Sequence, residues 1–155
     1  MKNIQTYLVF LFLGISMLLP LNSCKKNKNC KESNNSEAGS DDSHNFGQNC
    51  MTCHYSEGKG EGCFNAAGSV YNANFTVPLV SGTVKFYTGP NGTGALKYTI
   101  PIDAKGNFHR TDEFDYSGLY PAIVTSNGTK YMSSSLTSGA CNSCHGNSTS
   151  SLYGL

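Results

Sequence analysis

The chain has 155 residues, 38% of them hydrophobic, with 11 Lys and Arg against 10 Asp and Glu. A formal charge of +1 leaves no basic footprint for nucleic acid. A chain this long holds one small domain once any leader is removed.

Lys2 is the only charge before Lys25, and Tyr7 to Leu21 is almost wholly apolar. This is the charged start and short apolar stretch of a secretory signal peptide. The run is broken by Pro20 and falls short of the ~20 residues that span a bilayer as a helix. It ends in Leu21-Asn22-Ser23-Cys24, which resembles the bacterial lipoprotein box. The resemblance implies that residues 1–23 are cleaved and that Cys24 becomes the lipidated first residue. The chain would then cross the inner membrane and stay anchored to a membrane, at the periplasmic face or the cell surface, with the outer membrane favoured. The alternative is an ordinary cleaved signal, with Cys24 pairing elsewhere.

Residues 24–45 read as a flexible tether. Lys25 to Asn45 holds no Val, Ile, Leu, Phe, Tyr or Met, so it cannot bury enough apolar area to offset its ordering entropy. Lys25, Lys26, Lys28 and Lys31 could lie near anionic headgroups or simply be solvated.

Residues 46–66 carry the first chemical motif, Cys50-Met51-Thr52-Cys53-His54. Cys-x-x-Cys-His is the pattern of c-type haem attachment. The two thiols add to the two vinyl groups of one porphyrin, and the adjacent imidazole reaches the iron. Apolar side chains are sparse here, namely Phe46, Met51, Tyr55 and Phe64. A covalent haem would supply the surface on which such a segment packs.

Residues 67–135 alternate strand-like runs with turns. Gly68 to Tyr71 opens the series, and Gly82 to Tyr87 puts Val84 and Phe86 on one face. Ala95 to Ile100 puts Leu96, Tyr98 and Ile100 on one face. Gly106 to His109, Leu119 to Thr125 and Thr129 to Ser133 complete the set, with Asn127-Gly128 as a tight turn. Short strands at this spacing predict a mainly β fold, a small antiparallel β-sandwich with irregular segments at both ends. Pro78, Pro101 and Pro121 are expected at strand ends or edges. The stretch resembles the carboxypeptidase regulatory-like, or transthyretin-like, sandwich. That resemblance rests on Gly68-Ser69-Val70-Tyr71, on Val77-Pro78-Leu79 leading to Gly82-Thr83-Val84-Lys85-Phe86, and on Asp103-Ala104-Lys105-Gly106-Asn107-Phe108. It implies a fold and says almost nothing of function.

Residues 136–155 repeat the first motif as Cys141-Asn142-Ser143-Cys144-His145, again with few apolar side chains: Leu136, Leu152, Tyr153 and Leu155. Two covalent haems c are therefore expected, on Cys50 and Cys53 and on Cys141 and Cys144, with His54 and His145 as proximal iron ligands. Candidates for the opposite face of an iron are, in order, Met132, His109 and His44. Cys30 and Cys63 remain; in an oxidising compartment they could pair, or stay as two unpaired thiols.

The chain as a whole looks like bacterial secreted lipoproteins in which such a sandwich lies between two haem-binding motifs. That reading implies an electron carrier rather than an enzyme, lipid-anchored at Cys24, with a redox protein as partner. No Ser/His/Asp pattern, phosphate loop or His-Glu-x-x-His motif points to catalysis. Two alternatives stay open. One is a haem-free surface binding module whose Cys-x-x-Cys pairs form disulfide staples, and the other is a structural Zn²⁺ site built from the two pairs.

Overall fold

The computed structural model describes residue 30 and residues 33–155. The expected leader, Cys24 and the four lysines that follow it lie outside the described residues. Among the described residues seven strands follow in chain order: β1 (Ala66–Tyr71), β2 (Thr83–Tyr87), β3 (Leu96–Pro101), β4 (Asn107–Arg110), β5 (Tyr120–Thr125), β6 (Gly128–Tyr131) and β7 (Leu152–Tyr153). They form a four-stranded sheet in the order β3-β2-β5-β6 and a three-stranded sheet in the order β4-β1-β7. The fold is mainly β, as expected, and consistent with a small sandwich.

The alternation of apolar residues decides which face of each strand turns inward. Val84 and Phe86 of β2, Ile100 of β3 and Ile123 of β5 come from one sheet, and Val70 and Phe108 come from the other. Ile102, Phe114, Leu119 and Leu136 close the same core. Phe86 and Phe114 meet edge to face at 4.9 Å. Leu96 departs from the expected alternation. Phe86 pairs with Tyr98, but the next residue, Tyr87, pairs with Leu96, so Lys97 is an extra residue in β3. A bulge of this kind turns the side chains beyond it to the other face, and Leu96 is exposed. The β5–β6 turn also sits one residue earlier than expected. Thr125 pairs with Gly128, leaving Ser126 and Asn127 as the loop and Gly128 as the first residue of β6.

The connection into β4 is held by polar groups. Asp103, buried, accepts hydrogen bonds from the amides of Lys105 (2.8 Å) and Asn107 (3.0 Å). This carboxylate therefore ties down the Asp-x-x-Gly-x-Phe turn that delivers Phe108 to the core.

The segment expected as a free tether is docked from Asn34 onward. The Ser36 amide donates to the carbonyl of His109 at 3.0 Å, and Ser36 Oγ donates to the Pro101 carbonyl at 2.7 Å. Asn35 donates to Asp112 at 2.7 Å, and the Asn34 amide donates to Thr111 Oγ1. The apolar count missed this because backbone and short polar side chains do the docking, satisfying groups along β4 that would otherwise face water.

The C-terminal segment is likewise part of the fold. β7 runs parallel to β1, pairing Val70 with Leu152 and Tyr71 with Tyr153, so the sandwich is not purely antiparallel. Several of the sparse apolar residues at the two ends pack on protein: Leu136 and Leu152 join the core, and Phe46 meets Tyr71 at 4.6 Å.

Phe86 has no exposed surface. Its replacement in Phe86→Ala leaves a cavity at the centre of the core and is expected to cost about 3–5 kcal/mol. Urea unfolding followed by far-ultraviolet circular dichroism measures this, and an unchanged midpoint would show that the two sheets do not depend on that ring.

Candidate functional site

The two motifs fold alike. Cys50–Thr52 and Cys141–Ser143 are single 3-10 turns. In each, the histidine amide closes onto the carbonyl of the first cysteine: His54 to Cys50 at 3.0 Å and His145 to Cys141 at 3.0 Å. Asn49 caps the first turn by accepting from the Met51 amide at 3.2 Å.

The imidazoles are oriented alike as well. His54 Nδ1 lies 2.7 Å from the Glu61 carbonyl oxygen, and His145 Nδ1 lies 2.8 Å from that of Ser150. A carbonyl only accepts, so these partners assign the proton of each neutral ring to Nδ1. Nε2 is then left with its lone pair, the arrangement in which a metal-ligating histidine is held. Around His54 the loop approaches closely at Gly60. A Cβ there would come within 2.6 Å of His54 Nδ1, so glycine alone fits. Phe64 stacks on the His54 ring at 4.0 Å with the planes 5° apart.

Each motif opens onto a cavity. The first, of about 840 Å³, is lined by Cys50, Cys53 and His54 together with His44, His109 and Phe64. The second, of about 440 Å³, is lined by Cys141, Cys144 and His145 together with Met132 and Leu136. Both volumes lie in the range of roughly 300–1,000 Å³ typical of cofactor sites. Phe108, buried in the core, lines both cavities, so one aromatic ring is common to their walls.

β1 holds the two sites side by side. Its edge facing β7 also carries the second motif: the Ala67 amide donates to Gly139 at 2.9 Å, and the Ser69 amide donates to Asn142 Oδ1, inside the motif, at 2.7 Å. Ser69 Oγ accepts from the Gly47 amide at 2.9 Å, on the approach to the first motif, and donates to Asn107 Oδ1 at 2.6 Å. Asn107 in turn donates to Ser43 Oγ at 2.9 Å and to the His44 carbonyl at 3.3 Å. Gly68 leaves room for this closeness, since a Cβ there would come within 3.0 Å of Cys141 Cβ and 2.8 Å of the Phe108 ring.

The three candidates for the opposite iron face divide between the cavities. Met132 lies with His145 and is half-buried against the core. His44 is exposed, with its ring centroid 5.7 Å from that of His54. His109 stacks on Phe64 at 4.5 Å, on a ring that itself stacks on His54, and its Nε2 is hydrogen-bonded to Asn34 Oδ1 at 3.1 Å.

Cys30 and Cys63 form a disulfide, while Cys50, Cys53, Cys141 and Cys144 are free thiols. The bridge fastens the chain just before the docked segment to the loop that supplies the Glu61 carbonyl. Burial pushes the Cys50 thiol up, and burial together with the neighbouring Cys50 pushes Cys141 up to about 12. Among the described residues no three of His, Cys, Asp or Glu gather into a metal cage. A haem iron takes its equatorial ligands from the porphyrin, so one imidazole per motif is enough to begin such a site. The donor set, two thiols beside an imidazole with free Nε2 at the mouth of a cavity, fits a covalent haem at both places.

Ser69, Asn107, Asn142 and Gly60 were not singled out as functional from the sequence. Asn142 alone carried a signal, by standing inside the motif. The Glu61 and Ser150 carbonyls could not have been found, because any residue supplies one. No family model matches the chain, and no curated protein or solved structure matches it either.

Two outcomes are expected of the haem-free protein. At pH 8 iodoacetamide alkylates the exposed Cys53 and Cys144 first and Cys141 last. A thiol raised to about 12 stays protonated until the pH nears that value. Peptide mass mapping over time checks the order, and equal rates would contradict it. Separately, Cys30 and Cys63 are 33 residues apart in sequence. Replacing both with Ser should cost roughly 3–4 kcal/mol through loop-closure entropy, read from the denaturation midpoint.

Proposed function

We propose that this chain is an extracytoplasmic, lipid-anchored dihaem c-type cytochrome that carries electrons. The observation that carries the reading is the repeated arrangement at the two motifs. Each Cys-x-x-Cys-His closes into the same turn, each histidine directs its Nδ1 at a backbone carbonyl oxygen as a hydrogen-bond donor, and each site opens onto a cofactor-sized cavity. A chance occurrence of the sequence pattern gives no reason for this common orientation.

In this reading Cys50 and Cys53, and Cys141 and Cys144, hold the two porphyrins, and His54 and His145 ligate the irons. The bound group supplies reversible one-electron chemistry. The protein fixes the position of each imidazole through Glu61, Ser150, Gly60 and Phe64. It keeps the two sites adjacent through Ser69 and partly shields them from water with Phe108 and Leu136. Cys24 carries the lipid and joins the chain to a membrane. The partner is a redox protein; the balanced charge gives no role to nucleic acid.

The test is expression of the full chain in a periplasm with c-type haem maturation, followed by a pyridine haemochrome spectrum and an intact mass. Two covalent haems are expected, falling to one in Cys53→Ser and to one in Cys144→Ser. No haem, with Cys50–Cys53 and Cys141–Cys144 oxidised to disulfides, would replace the proposal with the haem-free binding module.

A further inference from the structure

The two cavities differ in the side chains available to the far face of an iron. Sulfur is present at one and imidazole at the other. Met132, at the foot of β6, shares the second cavity with His145, and among the described residues no histidine besides His145 lines that cavity. Among the described residues no methionine lines the first cavity, which has His44 and His109 beside His54. The two histidines are not equivalent. The Phe64 ring is stacked against both His54 and His109, and Asn34 engages His109 Nε2. His44 faces no such obstacle. Its ring lies 5.7 Å from that of His54, and its backbone carbonyl is held by Asn107 within the network centred on Ser69.

Resting on the dihaem reading, we infer that His44 is the second axial ligand at the Cys50 site and Met132 the second axial ligand at the Cys141 site. The chain would therefore hold two unequal redox centres, the Cys141 site at the higher potential. Thioether in place of imidazole raises the potential of a c-type iron because it is the weaker donor to the oxidised metal. Phe108 lines both cavities, so the unequal centres share a wall. A gradient between such neighbours favours the reduced state at the C-terminal site.

The experiment is a spectroelectrochemical titration of the periplasmically matured full chain, with haem content counted on the same sample. Two separate one-electron waves are expected, together with the near-infrared charge-transfer band of Met ligation. Met132→Leu keeps the apolar volume; it should lower only the upper wave and abolish that band. His44→Gln, at an exposed position, should move only the lower wave, and His109→Gln should move neither. Two haems titrating as one wave, or a Met132→Leu protein that keeps the band, would overturn this inference and leave the dihaem reading standing. A response to His109→Gln in place of His44→Gln would overturn the His44 assignment. A haem count of zero would overturn both readings.

Discussion

Ser69 is the point through which both motifs are tied to the sandwich. It has no exposed surface, and its amide and hydroxyl are both hydrogen-bonded. The amide holds Asn142 of the second motif, and the hydroxyl takes the Gly47 amide before the first motif and gives its proton to Asn107. Buried polar groups of this kind are costly when unpaired and specify one arrangement when satisfied. Here they specify that two segments far apart in the chain meet at one strand. The Gly68 backbone beside Ser69 admits Cys141 and Phe108 at close range, which a larger side chain would prevent.

The rest of the site grows outward from that strand. Asn107, on β4, extends the network to Ser43 and His44, so the docked N-terminal segment belongs to the first site and does not merely lead up to it. The Cys30–Cys63 bridge holds the other side of the same site, near the loop that presents the Glu61 carbonyl to His54. In the second site the carbonyl comes from Ser150, just ahead of β7, whose pairing with β1 holds the segment in place. The two histidines thus reach the same orientation by different supports.

Much of the fold was legible in the residues. Val84 and Phe86 alternate with polar neighbours and turn inward, and the run from Gly106 to His109 yields β4, with the turn held by Asp103 ahead of it. Leu96 leaves the expected face because a bulge at Lys97 reverses the alternation, and nothing local announces a bulge. From Asn34 onward the expected tether docks through backbone and short polar groups, whereas apolar counting registers only hydrophobic burial. The end segments hold few apolar residues, yet Leu136, Leu152 and Phe46 find protein partners supplied by strands distant in sequence.

The sequence by itself determined the chemistry available: two Cys-x-x-Cys-His motifs, a strand pattern between them, and an apolar run leading to Cys24. These are local properties, set by covalent neighbours and by the period of side chains along a strand. Only the tertiary structure decided that the motifs flank one strand, that Cys30 meets Cys63, that each Nδ1 faces a carbonyl, and that His44 and Met132 fall in different cavities. Such relations depend on which edges of β1 and β4 are left open for other segments to satisfy. Backbone donors and acceptors find partners in segments distant in sequence, so these relations cannot be read from any one stretch of the chain.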